Sequence, residues 1–332
     1  MKKLAFLLLF SAFGFSQNKP FAKGADVGWL PQMEATGYKF YDSDGKEKDC
    51  LQLLKERGMN SIRLRVWVNP SNDKASGHCG KEETVAMALR AQKMGFHIMI
   101  DFHYSDSWAD PAKQFKPKAW ENHSFTELLN DVYNHTFDVI NALKKAGVTP
   151  EWVQIGNEIP GGMLWPDGST DNWEQLGQLL NKGYDAVKAV DKKIKVIVHV
   201  DEGNNNAKFR KFFDNATEQK VRYDVIGLSY YPYWIKKDYS ETIDDLQFNL
   251  NDMVKRYGKE VMVVEVGGED DKIQNTKELL QATIKAVRNV PNNKGLGVFY
   301  WEPQGARSWS HYALSAWLEN GQPSPALDAF KE

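Results

Sequence analysis

The sequence predicts an α/β fold, a (β/α)8 TIM barrel in a single domain. Three observations carry this expectation. Eight short runs dominated by Val, Ile, Leu and Met are spaced along the chain, segments of helical periodicity separate them, and no Pro/Gly/Ser linker or composition shift divides the 332 residues. Strands that alternate with helices pair in parallel and are covered on both faces. Eight such units close naturally into a barrel. An open doubly wound sheet is the alternative, but no Gly-x-Gly-x-x-Gly turn follows the first strand.

The elements follow in order. The chain opens MKKLAFLLLFSAFGFSQ: two lysines, an apolar run from Leu4 to Phe15, then small and polar residues. That run is shorter than the roughly 20 residues of a membrane-spanning helix and has the charge order of a secretory signal. Residues 1–16 are therefore expected to be a signal peptide and 17–332 the barrel, exported to the periplasm or beyond. Strands are expected at Ala22–Val27, Ser61–Val68, Phe96–His103, Trp152–Asn157, Lys195–Val200, Asp224–Tyr231, Glu260–Val266 and Gly295–Trp301. Helices are expected at Lys48–Arg57, Glu82–Met94, Phe125–Lys145, Trp173–Val190, Asn206–Gln219, Ile243–Tyr257 and Thr276–Val290, with a closing helical segment, Ser324–Phe330, opened by Ser-Pro. Gly58, Gly95, Gly147 and Gly258 mark helix ends.

Composition narrows the partners. The chain carries 42 basic and 44 acidic residues, well mixed, for a net charge of −2. It has no basic stripe with interleaved aromatics, so nucleic acid is not an expected ligand. The two cysteines, Cys50 and Cys79, exclude a disulfide framework. Both fall in or just after the first two strand-to-helix loops, and we expect them to pair in an oxidising compartment. Two separate buried thiols are the alternative.

In such a barrel the chemistry sits at the C-terminal ends of the strands. Those ends carry Asp26, Arg63, Arg65, His103, Asn157, Glu158, His199, Asp201, Tyr230, Tyr231, Glu265, Trp301 and Glu302. Glu158 ends the apolar run WVQIGN on the fourth strand, and Glu265 ends VMVV on the seventh. The tips of these two strands face each other across the mouth. An unpaired buried carboxylate is costly, so two at one mouth point to function. Paired carboxylates are what glycosidic bond cleavage needs, one protonated to serve the leaving oxygen and one ionised. Their proximity would itself separate their pKa values. A metal is the alternative, but His103 and His199 show no spacing of the His-Glu-x-x-His kind, and neither metal nor cofactor is expected.

Adjacent residues on a strand point to opposite faces, which conflicts with Asn157 and Glu158 both facing the cleft. Gly156 offers a kink that would allow it. Trp29, Trp108, Trp165, Tyr231, Tyr233, Trp234, Trp301 and Trp309 fall in loops or at strand ends, as expected of a cleft where sugar rings lie on aromatic faces.

The blocks GADVGWLPQMEATG, RLRVWVNP, DFHYSDSWADPAKQFKPKAW, GNEIPGGMLWPDG, SYYPYW and GLGVFYWEP, in that order, closely resemble glycoside hydrolase family 53, the endo-β-1,4-galactanases of barrel clan A. The resemblance runs from about Phe21 to the C-terminus. It implies a retaining endo-hydrolase acting on galactan in pectic arabinogalactan, with Glu158 as acid/base and Glu265 as nucleophile. It further implies that Arg63, Asn157 and Tyr231 hold the carboxylates and the sugar, and that Trp301 stacks on it. Asp26, His103, Trp108, Asp110, His199 and Asp201 resemble cleft residues by position. The chain departs from the family after the nucleophile, where EVGGEDDKIQN replaces a longer loop that binds calcium in some bacterial members. Glu269, Asp270 and Asp271 form an acidic group there, and three acidic residues on so short a loop are more often simply solvated than bound to calcium. A monomer acting on polysaccharide is expected. Clan relatives that cleave β-mannan or β-glucan would show the same carboxylates. A sugar-binding protein without activity is the alternative of another class, and the presence of both carboxylates argues against it.

Overall fold

A computed structural model describes residues 20–73 and 77–332. Eight parallel strands close into a barrel in sequence order: β1 (Ala22–Asp26), β2 (Ser61–Val66), β3 (His97–Phe102), β4 (Trp152–Ile155), β5 (Lys195–Val200), β6 (Val225–Tyr230), β7 (Glu260–Val266) and β8 (Gly295–Tyr300). β8 pairs with β1 through Ala22–Gly297 and Gly24–Phe299 and shuts the ring. The expected TIM barrel is therefore present. The sequence expectation for residues 1–16 lies outside the described residues.

The helices are α1 (Leu30–Ala35), α2 (Cys50–Glu56), α3 (Lys81–Lys93), α4 (Phe125–Lys145), α5 (Trp173–Val190), α6 (Asn206–Glu218), α7 (Ile243–Tyr257), α8 (Ile273–Arg288) and α9 (Arg307–Ser310). Side chains satisfy the first turns of several. The Asp49 carboxylate accepts from the Gln52 N–H at 3.1 Å, and Ser124 with Glu127 forms a capping box at α4. α1 and α9 were not anticipated, because neither is long enough to show a period. α8 starts three residues earlier than expected, at Ile273, and Ser324–Phe330 is largely a 3-10 turn with Pro325 in its first position.

Two apolar layers hold the fold. The larger lies between the strands' outward faces and the helices. The smaller fills the barrel's lower interior with Ala22, Met99, Trp152, Ile197, Val225, Met262, Val264 and Phe299. Alternation along each strand then sends Asp26, Arg63, Asp101, Gln154, His199 and Ser229 into the upper interior. The lower barrel is thus dry packing and the upper barrel is polar.

Two irregularities aim the carboxylates. β4 stops at Ile155, two residues short of the expected end, because Gly156 takes φ +77°. On β7 the register jumps, with Leu228 opposite Val263 but Ser229 opposite Glu265. Val264 belongs to the inner layer, so strict alternation would turn Glu265 outward. The bulge resets the phase and brings it inward.

The cysteine expectation is corrected. Both thiols are free and buried. Cys50 packs into the outer core at the start of α2, while the Cys79 thiol donates to the Gly28 carbonyl at 3.3 Å. Proximity in sequence to neighbouring loops did not translate into facing side chains. Burial pushes the Cys79 thiol up to about 11 and raises the Cys50 thiol well above its ordinary value, so neither reacts readily as thiolate.

One close approach tests the packing of the barrel floor. A Cβ on Gly24 would lie 2.2 Å from the Phe299 ring. Gly24→Ala is expected to cost about 1–3 kcal/mol in urea denaturation. Adding Phe299→Leu should recover part of that loss, so the pair deviates from additivity by at least about 0.5 kcal/mol.

Candidate active site

Arg63 stands at the centre of the polar layer, 1% exposed. Its Nη1 donates to Asp26 Oδ2 at 2.6 Å and to Glu265 Oε1 at 2.8 Å. Its Nη2 reaches Asp101 Oδ2 at 2.9 Å, Asn157 Oδ1 at 2.9 Å and Gln154 Oε1 at 3.2 Å. One cation therefore ties β1, β3, β4 and β7 together below the mouth. These neighbours hold Arg63 firmly protonated against the penalty of its burial.

Above this layer lies a cleft of about 460 Å³. Glu158 and Glu265 both line it, together with His103, Trp108, Asp110, Asn157, Asp201, Tyr231 and Trp301. Each of these was expected from the sequence. Three other expected residues do not reach it. Asp26, Arg63 and His199 sit behind the cleft wall, 0–1% exposed. They occupy the layer beneath, so the expectation that they touch sugar is revised to one of supporting those that do.

The two carboxyls have different surroundings. Glu265 accepts from Arg63 on one oxygen and from the Tyr231 hydroxyl on the other, at 3.2 Å. Burial raises its pKa, and both bonds oppose the rise. The Tyr231 phenol is itself pushed far up by burial and by Glu265, so it remains a donor. Among the described residues no cation is bonded to Glu158, which accepts from Ser229 Oγ at 2.6 Å. Burial, then the charge of Glu265, drive its pKa well above the ordinary 4.5. The surroundings thus favour the proton on Glu158 over Glu265.

The Glu158 backbone is held in a conformation that L-residues rarely adopt, φ +43°. Its N–H donates to His199 Nδ1 at 3.3 Å. Gln114, from the loop after β3, donates to the Asn157 and Glu158 carbonyls at 2.8 and 3.1 Å. The Gly156 kink turns Asn157 toward the cleft too, where its amide donates to the Ala109 carbonyl at 2.9 Å. A Cβ at Gly156 would meet the Ile159 side chain at 2.9 Å.

His103 carries its hydrogen on Nε2, which donates to Asp101 at 2.9 Å, because Nδ1 accepts from the Ala109 N–H at 3.2 Å. Burial lowers its pKa and keeps it neutral. A second buried ion pair, Arg65 with Glu302, underlies the aromatic wall. Glu302 also accepts from the Trp29 N–H at 3.1 Å. The Arg65 guanidinium lies 4.6 Å from the Trp108 ring centre. Trp301 then packs edge-on against Trp29 at 5.1 Å and Tyr312 at 4.9 Å. Across the cleft, Trp234 is 61% exposed on the loop after β6. Trp165 instead bonds the Gly161 carbonyl at 2.9 Å and packs on Phe115, outside the cleft lining.

Sequence reading missed Asp101, Gln154, Ser229, Gln114 and Tyr312. The first two left a signal, a polar residue inside the buried runs HIMIDF and WVQI. Gln114 and Tyr312 lie in loops and left none. In the acidic loop after β7, Asp270 pairs with Arg307 at 2.8 Å and Glu269 with Lys272 at 2.7 Å.

A carboxyl whose pKa rises on folding stabilises the fold below its unfolded value, and that contribution is lost as pH climbs through the folded value. Glu158 is such a group, and its loss begins above about 4.5. Glu158→Gln never ionises. It should melt roughly 1–3 °C above wild type at neutral pH, with the gap closing below about pH 4.5, as read by calorimetry across pH.

Comparison with known proteins places this geometry. The sequence pattern of Glycosyl hydrolase family 53 matches residues 22–327. The chain is 40% identical over 318 residues to an uncharacterised Niallia circulans protein of the bgaB 5′ region, covering 86% of this chain and 84% of that one. It is 35% identical over 312 residues to the endo-beta-1,4-galactanase of Bacillus subtilis (strain 168), covering 86% and 70%. Among solved structures, the Ignisphaera aggregans GH53 catalytic domain superposes with a TM-score of 0.85 at 34% identity, covering 94% of this chain and 95% of that one. The chain is thus a glycoside hydrolase and belongs to glycosyl hydrolase family 53.

Proposed function

We propose that this chain is a retaining endo-β-1,4-galactanase, with Glu158 as acid/base and Glu265 as nucleophile. The observation that carries the roles is the unequal surroundings of the two carboxyls. Glu265 is held by Arg63 and Tyr231, which favour its charge. Glu158, without a cation, is pushed up by burial and by Glu265. An environment that pushes two carboxyls apart in pKa assigns the acid and the base.

In the first step a Glu265 oxygen attacks the anomeric carbon, the bond to the leaving oxygen breaks, and Glu158 gives that oxygen its proton. The products are a galactosyl ester of Glu265 and a shortened chain with a free hydroxyl. In the second step Glu158, now a carboxylate, takes a proton from water as the water oxygen displaces Glu265. Two inversions leave the β configuration. Developing positive charge on the ring is met by the buried carboxylate of Glu265, and Trp301 and Trp108 offer faces for neighbouring sugars. All atoms and protons are accounted for by two carboxyls and water, so the reaction as written calls for no metal or cofactor.

The substrate assignment rests on relatives named as endo-beta-1,4-galactanases, from Bacillus subtilis and, at 35% identity, Humicola insolens. It carries with it action on the galactan of pectic arabinogalactan. The lysine-led apolar start supports export through a signal peptide at residues 1–16. No helix among the described residues is long and apolar enough to cross a membrane. We take the working enzyme to be a monomer.

Reducing-sugar release from galactan, β-mannan and cellulose should favour galactan by orders of magnitude, and preference for either of the others would overturn the substrate. Initial products read by proton NMR should carry β-anomeric ends. Glu265→Gln should lose about 10⁴-fold or more in kcat with the fold intact. Glu158→Ala should lose about 10²–10⁴-fold on galactan, and on an aryl β-galactoside whose leaving group needs no proton azide should restore turnover and yield a β-galactosyl azide.

A further inference from the structure

Ser229 closes the interior of β6, 1% exposed. Its Oγ lies 2.6 Å from Glu158 Oε1 and 2.7 Å from His199 Nε2. On the other side of the imidazole, two donors converge on Nδ1, the Glu158 N–H at 3.3 Å and the Gln154 amide at 3.0 Å, while the Asn157 Oδ1 acceptor, 3.2 Å from the same nitrogen, is already occupied by Arg63 and Gln154. The Gln154 amide is oriented by Arg63, which donates to its oxygen, and by Asp101, which accepts from its nitrogen. Two donors aimed at one ring nitrogen leave it without hydrogen. Nε2 therefore carries the hydrogen and donates it to Ser229 Oγ. Burial and the charge of Arg63 keep the ring neutral, which preserves this tautomer. With a lone pair of Oγ occupied from behind, the hydroxyl hydrogen of Ser229 points at Glu158 Oε1. The other oxygen of Glu158 has no partner among the described residues and is not among the buried unpartnered atoms.

We propose that Ser229, oriented by His199, is a positioning residue that pins one oxygen of Glu158 and so places the transferable proton on the oxygen facing the leaving group. The proposal rests on the acid/base role of Glu158. With one lone pair of Oε1 taken by the Ser229 hydrogen, Oε2 is the more favourable seat for the carboxyl's own proton. The side chain cannot turn away without breaking the bond to Ser229.

The same bond tunes acidity. The groups facing Glu158 are Glu265 from β7 and Asp201 after β5, which raise its pKa, Arg63 from β2, which lowers it, and the neutral His199 and Tyr231. Donation from Ser229 favours the ionised form and holds back the rise. Removing the hydroxyl moves the pKa further up. The alkaline limb of kcat/KM reports the protonated acid of the free enzyme, so it follows in the same direction.

Full-length Ser229→Ala and Ser229→Thr, with wild type, are assayed against pH on galactan and on a dinitrophenyl β-galactobioside, whose leaving group needs no proton. Ser229→Ala should shift the alkaline limb on galactan upward by about one pH unit. It should lower kcat/KM on galactan at least about tenfold and on the activated glycoside less than about twofold. Ser229→Thr, which keeps the hydroxyl, should return the limb to its wild-type position. Circular dichroism and melting establish that both variants are folded. A folded Ser229→Ala with an unmoved limb, or with equal losses on both substrates, overturns the proposal. Glu158→Gln in the same assay separates the two readings. If its residual activity keeps the wild-type alkaline limb, Glu158 is not the acid and both fail. If it loses the limb while Ser229→Ala leaves it unmoved, only the positioning role fails.

Discussion

The guanidinium of Arg63 is the constraint on which the upper barrel depends. Its five short contacts reach side chains on β1, β3, β4 and β7, among them Glu265 and the neighbour of Glu158. Burying that cation costs several kcal/mol in desolvation, offset only because its partners are charged or well aligned. Removing it would leave Asp26, Asp101 and Glu265 as unpaired buried acids. The rigidity of the site is therefore electrostatic in origin, while the apolar floor below it supplies the stability that tolerates the cost.

Two departures from regular strand geometry convert this support into an active arrangement. Strict alternation would place Glu265 against the helices and could not aim both Asn157 and Glu158 at one cleft. The β7 bulge and the left-handed turn at Gly156 break the alternation at those two points. The strain of Glu158 at φ +43° persists because its N–H and carbonyl are both taken, by His199 and Gln114. Backbone and side chain of this one residue are thus secured from β5, β6 and the loop after β3.

The chemistry follows from inequality. One carboxyl is surrounded by donors and the other by burial and a like charge, so a single cleft gives its two carboxyls unequal acidity, the condition on which the proposed roles rest. The aromatic wall has its own anchor in Arg65 and Glu302, which repeats on a smaller scale the way Arg63 holds the carboxylates.

The residues alone determined the architecture, because a repeated strand-helix alternation without a break has few ways to close. They also singled out the two carboxyls that meet in the cleft, since a carboxylate ending an apolar strand stands out against its neighbours, as Glu158 and Glu265 do. Asp101 and Gln154 were legible in the same way and went unread. What tertiary structure decided was depth and direction. His199 and Asp26 share the strand-end positions of cleft residues yet lie a layer below it, and Cys50 and Cys79 occupy neighbouring loops yet stay unpaired. Ser229 became significant only when barrel closure brought the end of β6 to Glu158, beyond the end of β4. Position along a strand is set by sequence, but which side chains meet is set by barrel closure, bulges and loop return, and none of these leaves a local pattern in the chain.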